Sequence, residues 1–86
     1  ADVRNRALLT EKDQIRARLS ALTRREIQVL RLVTLGKSNK VVAAELGVSQ
    51  RTVEIHRAHL MEKMEATSLA HLVRMTIIAG MGISTY

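Results

Sequence analysis

The chain has 86 residues, in which 14 Lys and Arg oppose 8 Asp and Glu for a formal charge of +6. That length suits one small domain with a thin stability margin, and the charge favours polyanions at low salt. The absence of cysteine excludes disulfides and thiolate–metal centres. Tyr86 is the sole aromatic residue, which argues against the stacking platforms of single-strand and RNA-recognition modules. No apolar run approaches the roughly 20 residues of a membrane span. The opening Ala1-Asp2-Val3-Arg4 lacks the apolar core of a signal peptide. It also lacks an initiator Met, which predicts a piece of a longer protein, and the Cys-free composition fits the cytoplasm.

Proline is absent, the apolar spacing is helical nearly throughout, and no alternating run is long enough for a strand. An all-α fold is therefore predicted. Leu8, Ile15, Leu19 and Leu22 form one apolar stripe in an otherwise charged segment. One helix from the first residues to Leu19 is expected there; Thr10 followed by Asp13 offers an alternative start. Thr23-Arg24-Arg25-Glu26 predicts a capping box, with Ile27, Val29, Leu30 and Val33 as the apolar face behind it. Gly36 follows as a left-handed stop. Ser38 or Asn39 is expected to cap a short helix ending at Leu46. Gly47-Val48-Ser49 is the predicted turn, and Ser49 caps a longer helix to about Glu65. Thr67 or Ser68 caps the last helix, through about Ala79, before a tail at residues 81–86. The expected organisation is a linker helix over 1–19, a domain over 20–80, and that tail.

A short helix, a glycine-containing turn and a longer helix make the layout of a helix-turn-helix. Ala43 is small where the helices must cross, and Gly47 tolerates positive φ. Val42, Val48 and Val53 are apolar where the unit faces its own core. On a wheel at about 100° per residue, Val53, Leu60 and Met64 define the buried side of the longer helix. Arg51, Ile55, Ala58 and Glu62 lie opposite, flanked by Glu54 and His59. Ile55 on that outward face suits a thymine methyl, and Glu54 can accept from cytosine N4. Isolated surface apolars are common, but inside this motif Ile55 is read as a contact, whereas Glu54 reads equally as a solvated charge or an intrahelical partner. Arg51 can reach a phosphate or a guanine edge. Backbone amides at the two helix starts, with Lys37, Ser38, Asn39, Lys40, Ser49, Gln50, Thr52, Arg57 and His59, are candidate phosphate contacts. Arg57 lies nearer the core side, where it can snorkel to a phosphate or pair with Glu26. Thr23, Glu26, Gly36, Ala43, Gly47 and Val53 are read as structural.

The same residues resemble the LuxR/FixJ-type response-regulator DNA-binding domain, nearest the FixJ branch. The resemblance rests on Leu22-Thr23-Arg24-Arg25-Glu26-Ile27-Gln28-Val29-Leu30, Gly36-Lys37-Ser38-Asn39-Lys40 and Val42-Ala43-Ala44-Glu45-Leu46-Gly47-Val48-Ser49. It continues through Arg51-Thr52-Val53-Glu54-Ile55-His56-Arg57, Met61-Glu62-Lys63-Met64 and Ser68-Leu69-Ala70-His71-Leu72-Val73-Arg74. It implies a four-helix domain, here preceded by a linker helix, that binds double-stranded DNA as a dimer and controls transcription in the bacterial cytoplasm. Its reading residues map onto Glu54, Ile55 and Ala58. In relatives two of these positions can be lysines, where this chain has Glu54 and Ala58. It also implies a homodimer through the last helix, for which Leu69, Leu72, Val73, Met75, Thr76 and Ile78 are the candidates. An N-terminal receiver domain is the implied partner in cis, with RNA polymerase as a candidate partner.

An enzyme is not expected, because Ser38, Ser49 and Thr52 read as caps rather than nucleophiles. His56, His59 and Glu62 recur at helical spacing without a convincing further ligand, so neither metal nor cofactor is expected. Between Ser38 and Lys63 four basic residues (Lys40, Arg51, Arg57, Lys63) meet three acidic ones (Glu45, Glu54, Glu62). That weak excess leaves a protein-interaction module and a sigma-factor-like promoter reader as alternatives.

Overall fold

The computed structural model describes residues 10–81, and among these there are five α-helices and no strand. Helix α1 spans Glu11–Leu19. Its start corrects the expectation of a helix unbroken from the first residues. Thr10 is extended, at φ −77° and ψ 165°, and makes a full capping box with Asp13. The Thr10 hydroxyl accepts from the Asp13 amide at 3.2 Å, and the Asp13 carboxylate accepts from the Thr10 hydroxyl at 2.9 Å. A residue so capped begins a helix rather than continuing one. Leu8, placed on the same stripe, lies outside the described residues.

Helix α2 spans Arg24–Thr34 behind the expected Thr23–Glu26 capping box, with bonds of 3.1 and 2.9 Å. Val29, Leu30 and Val33 are buried on its inner face. Its end is a Schellman motif: the Lys37 amide donates to Leu32 O and the Gly36 amide to Val33 O. Helix α3 spans Asn39–Leu46 and is capped by Ser38. Helix α4 spans Gln50–Met64 and is capped by Ser49. Helix α5 spans Leu69–Ala79 and is capped by Ser68.

Two helix ends show what the turns require. Gly47 sits at φ 68° between α3 and α4, and the Val48 amide closes on Ala43 O at 3.0 Å. A side chain in that left-handed region costs roughly 1–2 kcal/mol, so glycine is the low-cost residue in the turn. The far end of α4 makes the same left-handed turn with Glu65, at φ 55°. Glu65 gains a partner in exchange, since Arg18 Nε lies 3.3 Å from its carboxylate.

One core joins all five helices. Leu30, Val42, Val53, Leu60, Met64 and Leu72 are fully buried in it. Helix α4 packs on α2 and α3, while α1 packs on α5 and α4. Residues 11–19 of the segment read as a linker thus pack with the rest of the described residues. Ile15 is 2% exposed in the core, and Arg16 Nε donates to Ala79 O at 3.1 Å, capping the end of α5. At the chain's other end Met81 still packs on the core, and the rest of the expected tail, 82–86, lies outside the described residues.

Candidate nucleic-acid interface

The site is built on the α3–turn–α4 unit. Val42 and Ala43 of α3 and Val53 of α4 are buried, which locks the inner face of the unit. The opposite face of α4 is open: Arg51, Glu54, Ile55, Ala58, His59 and Glu62 are exposed. Ile55 is 43% exposed, a large apolar side chain in the middle of a polar surface. The wheel therefore divides α4 as expected from the spacing of Val53, Leu60 and Met64.

The starts of the two helices carry the candidate phosphate contacts. The Ser38 hydroxyl accepts from the Val41 amide and the Ser49 hydroxyl from the Thr52 amide, at 3.3 and 3.1 Å. Ser49 and Thr52 hydroxyls also share a bond of 2.9 Å. These oxygens are engaged in capping. The amides of the first turns, at Asn39 and Lys40 and at Gln50 and Arg51, have no acceptor within their own helices by helical geometry. Ser38, Lys40, Ser49 and Gln50 are exposed, whereas Lys37, Asn39, Thr52 and Arg57 are half-buried.

Several side chains have partners that spacing alone did not identify. Arg57 Nη1 donates to Asn39 Oδ1 at 3.0 Å, tying α4 to the first turn of α3. Of the two readings left open for Arg57, the pair with Glu26 does not form. Glu26, 3% exposed, instead meets Lys63 Nζ at 2.8 Å, with His59 Nδ1 3.9 Å away. Lys63 sits one turn beyond His59 on the α4 face turned toward α2, so it reaches Glu26 first. Burial by itself raises the Glu26 carboxyl, but the Lys63 ammonium and the Thr23 amide and hydroxyl outweigh it and hold the group below the usual carboxylate range. Lys37 pairs with Glu45 at 2.9 Å, and Arg51 with Glu54 at 3.6 Å.

Helix α5 corrects the expected dimer face. Leu72, Met75 and Thr76 are buried within this chain, and the Thr76 hydroxyl donates to Val73 O at 2.6 Å. They cannot also cover a second copy. The remaining members of that set are Leu69, which is exposed, and Val73 and Ile78, which are half-buried. Ile77 is not in that set, and at 60% it is the most exposed large hydrophobic among the described residues. Its signal was the four-residue spacing Leu69–Val73–Ile77, one turn apart on one stripe. A helix apolar on most sides does not reveal which side its neighbours take. Here α1 and α2 take the Leu72–Met75–Thr76–Ala79 side.

Among the described residues, no three His, Cys, Asp or Glu side chains gather so as to hold a metal ion. No described helix is long and apolar enough to cross a membrane.

A capped short helix, a left-handed glycine turn and a capped longer helix with one locked and one open face define a helix-turn-helix domain. Residues 20–76 match the family described as "Bacterial regulatory proteins, luxR family", and the chain belongs to that family. Over 74 residues it is 53% identical to the transcriptional regulatory protein FixJ of Rhizobium meliloti (strain 1021), covering 86% of this chain and 36% of that one. It is 43% identical over 63 residues to the response regulator protein TmoT of Ectopseudomonas mendocina, covering 73% and 28%. The crystal structure of full-length FixJ from B. japonicum superposes with a TM-score of 0.76 at 45% identity, covering 83% of this chain and 35% of that one. The chain thus spans about a third of the length of these relatives.

Proposed function

We propose that this domain binds double-stranded DNA selectively and controls transcription as the output domain of a two-component response regulator in the bacterial cytoplasm. The carrying observation is the open face of α4: an apolar Ile55 beside Arg51, Glu54 and Ala58, on a helix whose other side is fixed in the core. Such a helix fits the major groove with its first turns against base edges. Arg51, Glu54, Ile55 and Ala58 face the bases. The first-turn amides of α3 and α4 and the side chains of Ser38, Asn39, Lys40, Ser49, Gln50 and Thr52 meet phosphates, with Lys37, Arg57 and His59 beside them. Arg57 does so while anchored on Asn39. We read the domain as acting by binding rather than catalysis: the Ser38 and Ser49 hydroxyls serve as caps, and the Thr52 hydroxyl is bonded to that of Ser49. A receiver domain in the same protein is the partner that sets when it binds, and RNA polymerase is a further partner in transcription.

Selection of bound sequences from a random duplex pool tests this reading. Enrichment of a defined half-site supports it, and failure to enrich any duplex favours a protein-interaction module. Lys40→Ala is expected to weaken binding to all duplexes alike and to lessen the salt slope by about one unit. An unchanged slope removes Lys40 from the phosphate contacts.

Two copies on neighbouring half-sites have centres about one helical turn, roughly 34 Å, apart. The stripe Leu69–Val73–Ile77, with Ile78 at its margin, is the surface through which they meet. Ile77→Asp is expected to leave the fold intact and to abolish cooperative occupancy of paired half-sites, with single half-site affinity unchanged. Gel-shift titration on both duplexes reads this. Retained cooperativity moves the dimer contact elsewhere.

A further inference from the structure

The reading face of α4 carries a charge pair whose two members together complement one base pair. Arg51 Nη1 lies 3.6 Å from Glu54 Oε1, with the two side chains 79% and 51% exposed. A pair this exposed adds little to folding. A carboxylate on a surface that approaches phosphates also costs affinity, since it opposes the electrostatic attraction. Its place beside Ile55 and Ala58 makes physical sense if the groove offers it a donor.

A G·C pair presents in the major groove, in order, the guanine acceptors N7 and O6 and the cytosine donor N4 amine. An arginine fork beside a carboxylate presents two donors and then an acceptor. At 3.6 Å the contact is longer than a hydrogen bond, close enough to orient the guanidinium and loose enough to admit a base. We propose that Arg51 and Glu54 read a single G·C pair as one unit. Arg51 donates to guanine N7 and O6, and Glu54 accepts from the N4 amine of the paired cytosine while holding the fork in place. An A·T pair puts the adenine N6 amine where Arg51 needs an acceptor, and the thymine O4 where Glu54 needs a donor. The mismatch leaves desolvated charged groups unpaired. Ile55, the next residue on the same face, then places its side chain on the adjoining pair, where a thymine methyl suits it. This inference rests on the groove-reading role proposed above and adds the base pair being read.

The test is selection from a random duplex pool with the full chain and with Arg51→Ala, Glu54→Ala, Arg51→Lys and the double alanine variant. Titrations on single duplexes at fixed salt follow. The wild-type chain is expected to fix a G·C pair at one position of the half-site. Arg51→Ala and Glu54→Ala each relax that same position from tenfold or greater discrimination, on the order of one good bidentate contact, to near parity. The double variant relaxes it no further than either single change. Arg51→Lys keeps the charge and the general affinity and loses part of the discrimination, because an ammonium donates to the guanine acceptors without the planar fork that Glu54 holds. The proposal is overturned if the two alanine variants relax different positions. It is also overturned if Arg51→Ala weakens all duplexes equally and lessens the salt slope, which marks a phosphate contact. A wild-type chain that enriches no duplex removes the groove-reading role, and this inference with it. A half-site selected without any G·C requirement removes this inference alone.

Discussion

Val53→Asp is expected to leave no cooperatively folded domain. Val53 is completely buried in the first turn of the inner face of α4, in one apolar core with Leu30, Val42, Leu60 and Met64. An unpaired carboxylate in such surroundings costs several kcal/mol even after relaxation. A typical domain is stable by only about 5–15 kcal/mol, and one this short lies near the lower end. Far-UV circular dichroism should show loss of the thermal transition, and amide resonances should collapse. Ile55→Asp is the control, two residues further along the same helix and 43% exposed. It should melt within about 0.5 kcal/mol of the wild-type chain while losing duplex binding. A Val53→Asp chain that stays folded and merely fails to bind would contradict the assignment of inner and outer faces.

Glu26→Ala has the next largest effect, about 2–3 kcal/mol from the lost cap and the lost charged hydrogen bond. The carboxylate closes the capping box of α2 and takes the Lys63 ammonium at 2.8 Å. Lys63 is 37% exposed, so solvent screens part of that attraction. At roughly 4–8 °C per kcal/mol, the melting temperature should fall by about 10 °C or more. Glu26→Gln keeps an acceptor and should lose less. The pH dependence has a definite sign. The folded carboxyl is held below its ordinary value of 4.5, so its contribution is fully present above that value. The contribution fades as the pH falls through the lowered folded value. Denaturant titrations at pH 7 and pH 3 should therefore show the gap between wild type and Glu26→Ala narrowing in acid. A gap independent of pH would mean that the carboxylate charge contributes nothing.

Local signals were the legible ones. The Thr23–Glu26 box, the stop at Gly36, the turn at Gly47 and the cap at Ser49 all follow from a few neighbouring residues, and each appears in the structure. The two faces of α4 were legible because Val53, Leu60 and Met64 recur at helical spacing against a polar remainder. Long-range choices were not legible. Whether Glu26 takes Arg57 or Lys63 depends on the rotation of α4 against α2, which no local pattern fixes. The buried side of α5 depends on where α1 lies, and α5 is apolar on too many sides for its own sequence to choose. The start of α1 was ambiguous because Leu8, Ile15 and Leu19 continue one stripe across Thr10. The capping box decides it.

The two arginines of α1 grip separate helix ends, Arg16 at Ala79 of α5 and Arg18 at Glu65 beyond α4. The short helix thereby joins the far ends of α4 and α5. A protein trimmed at residue 20 would lose both of these contacts and one of its core side chains, Ile15, together, leaving the end of α5 uncapped and a gap beneath it.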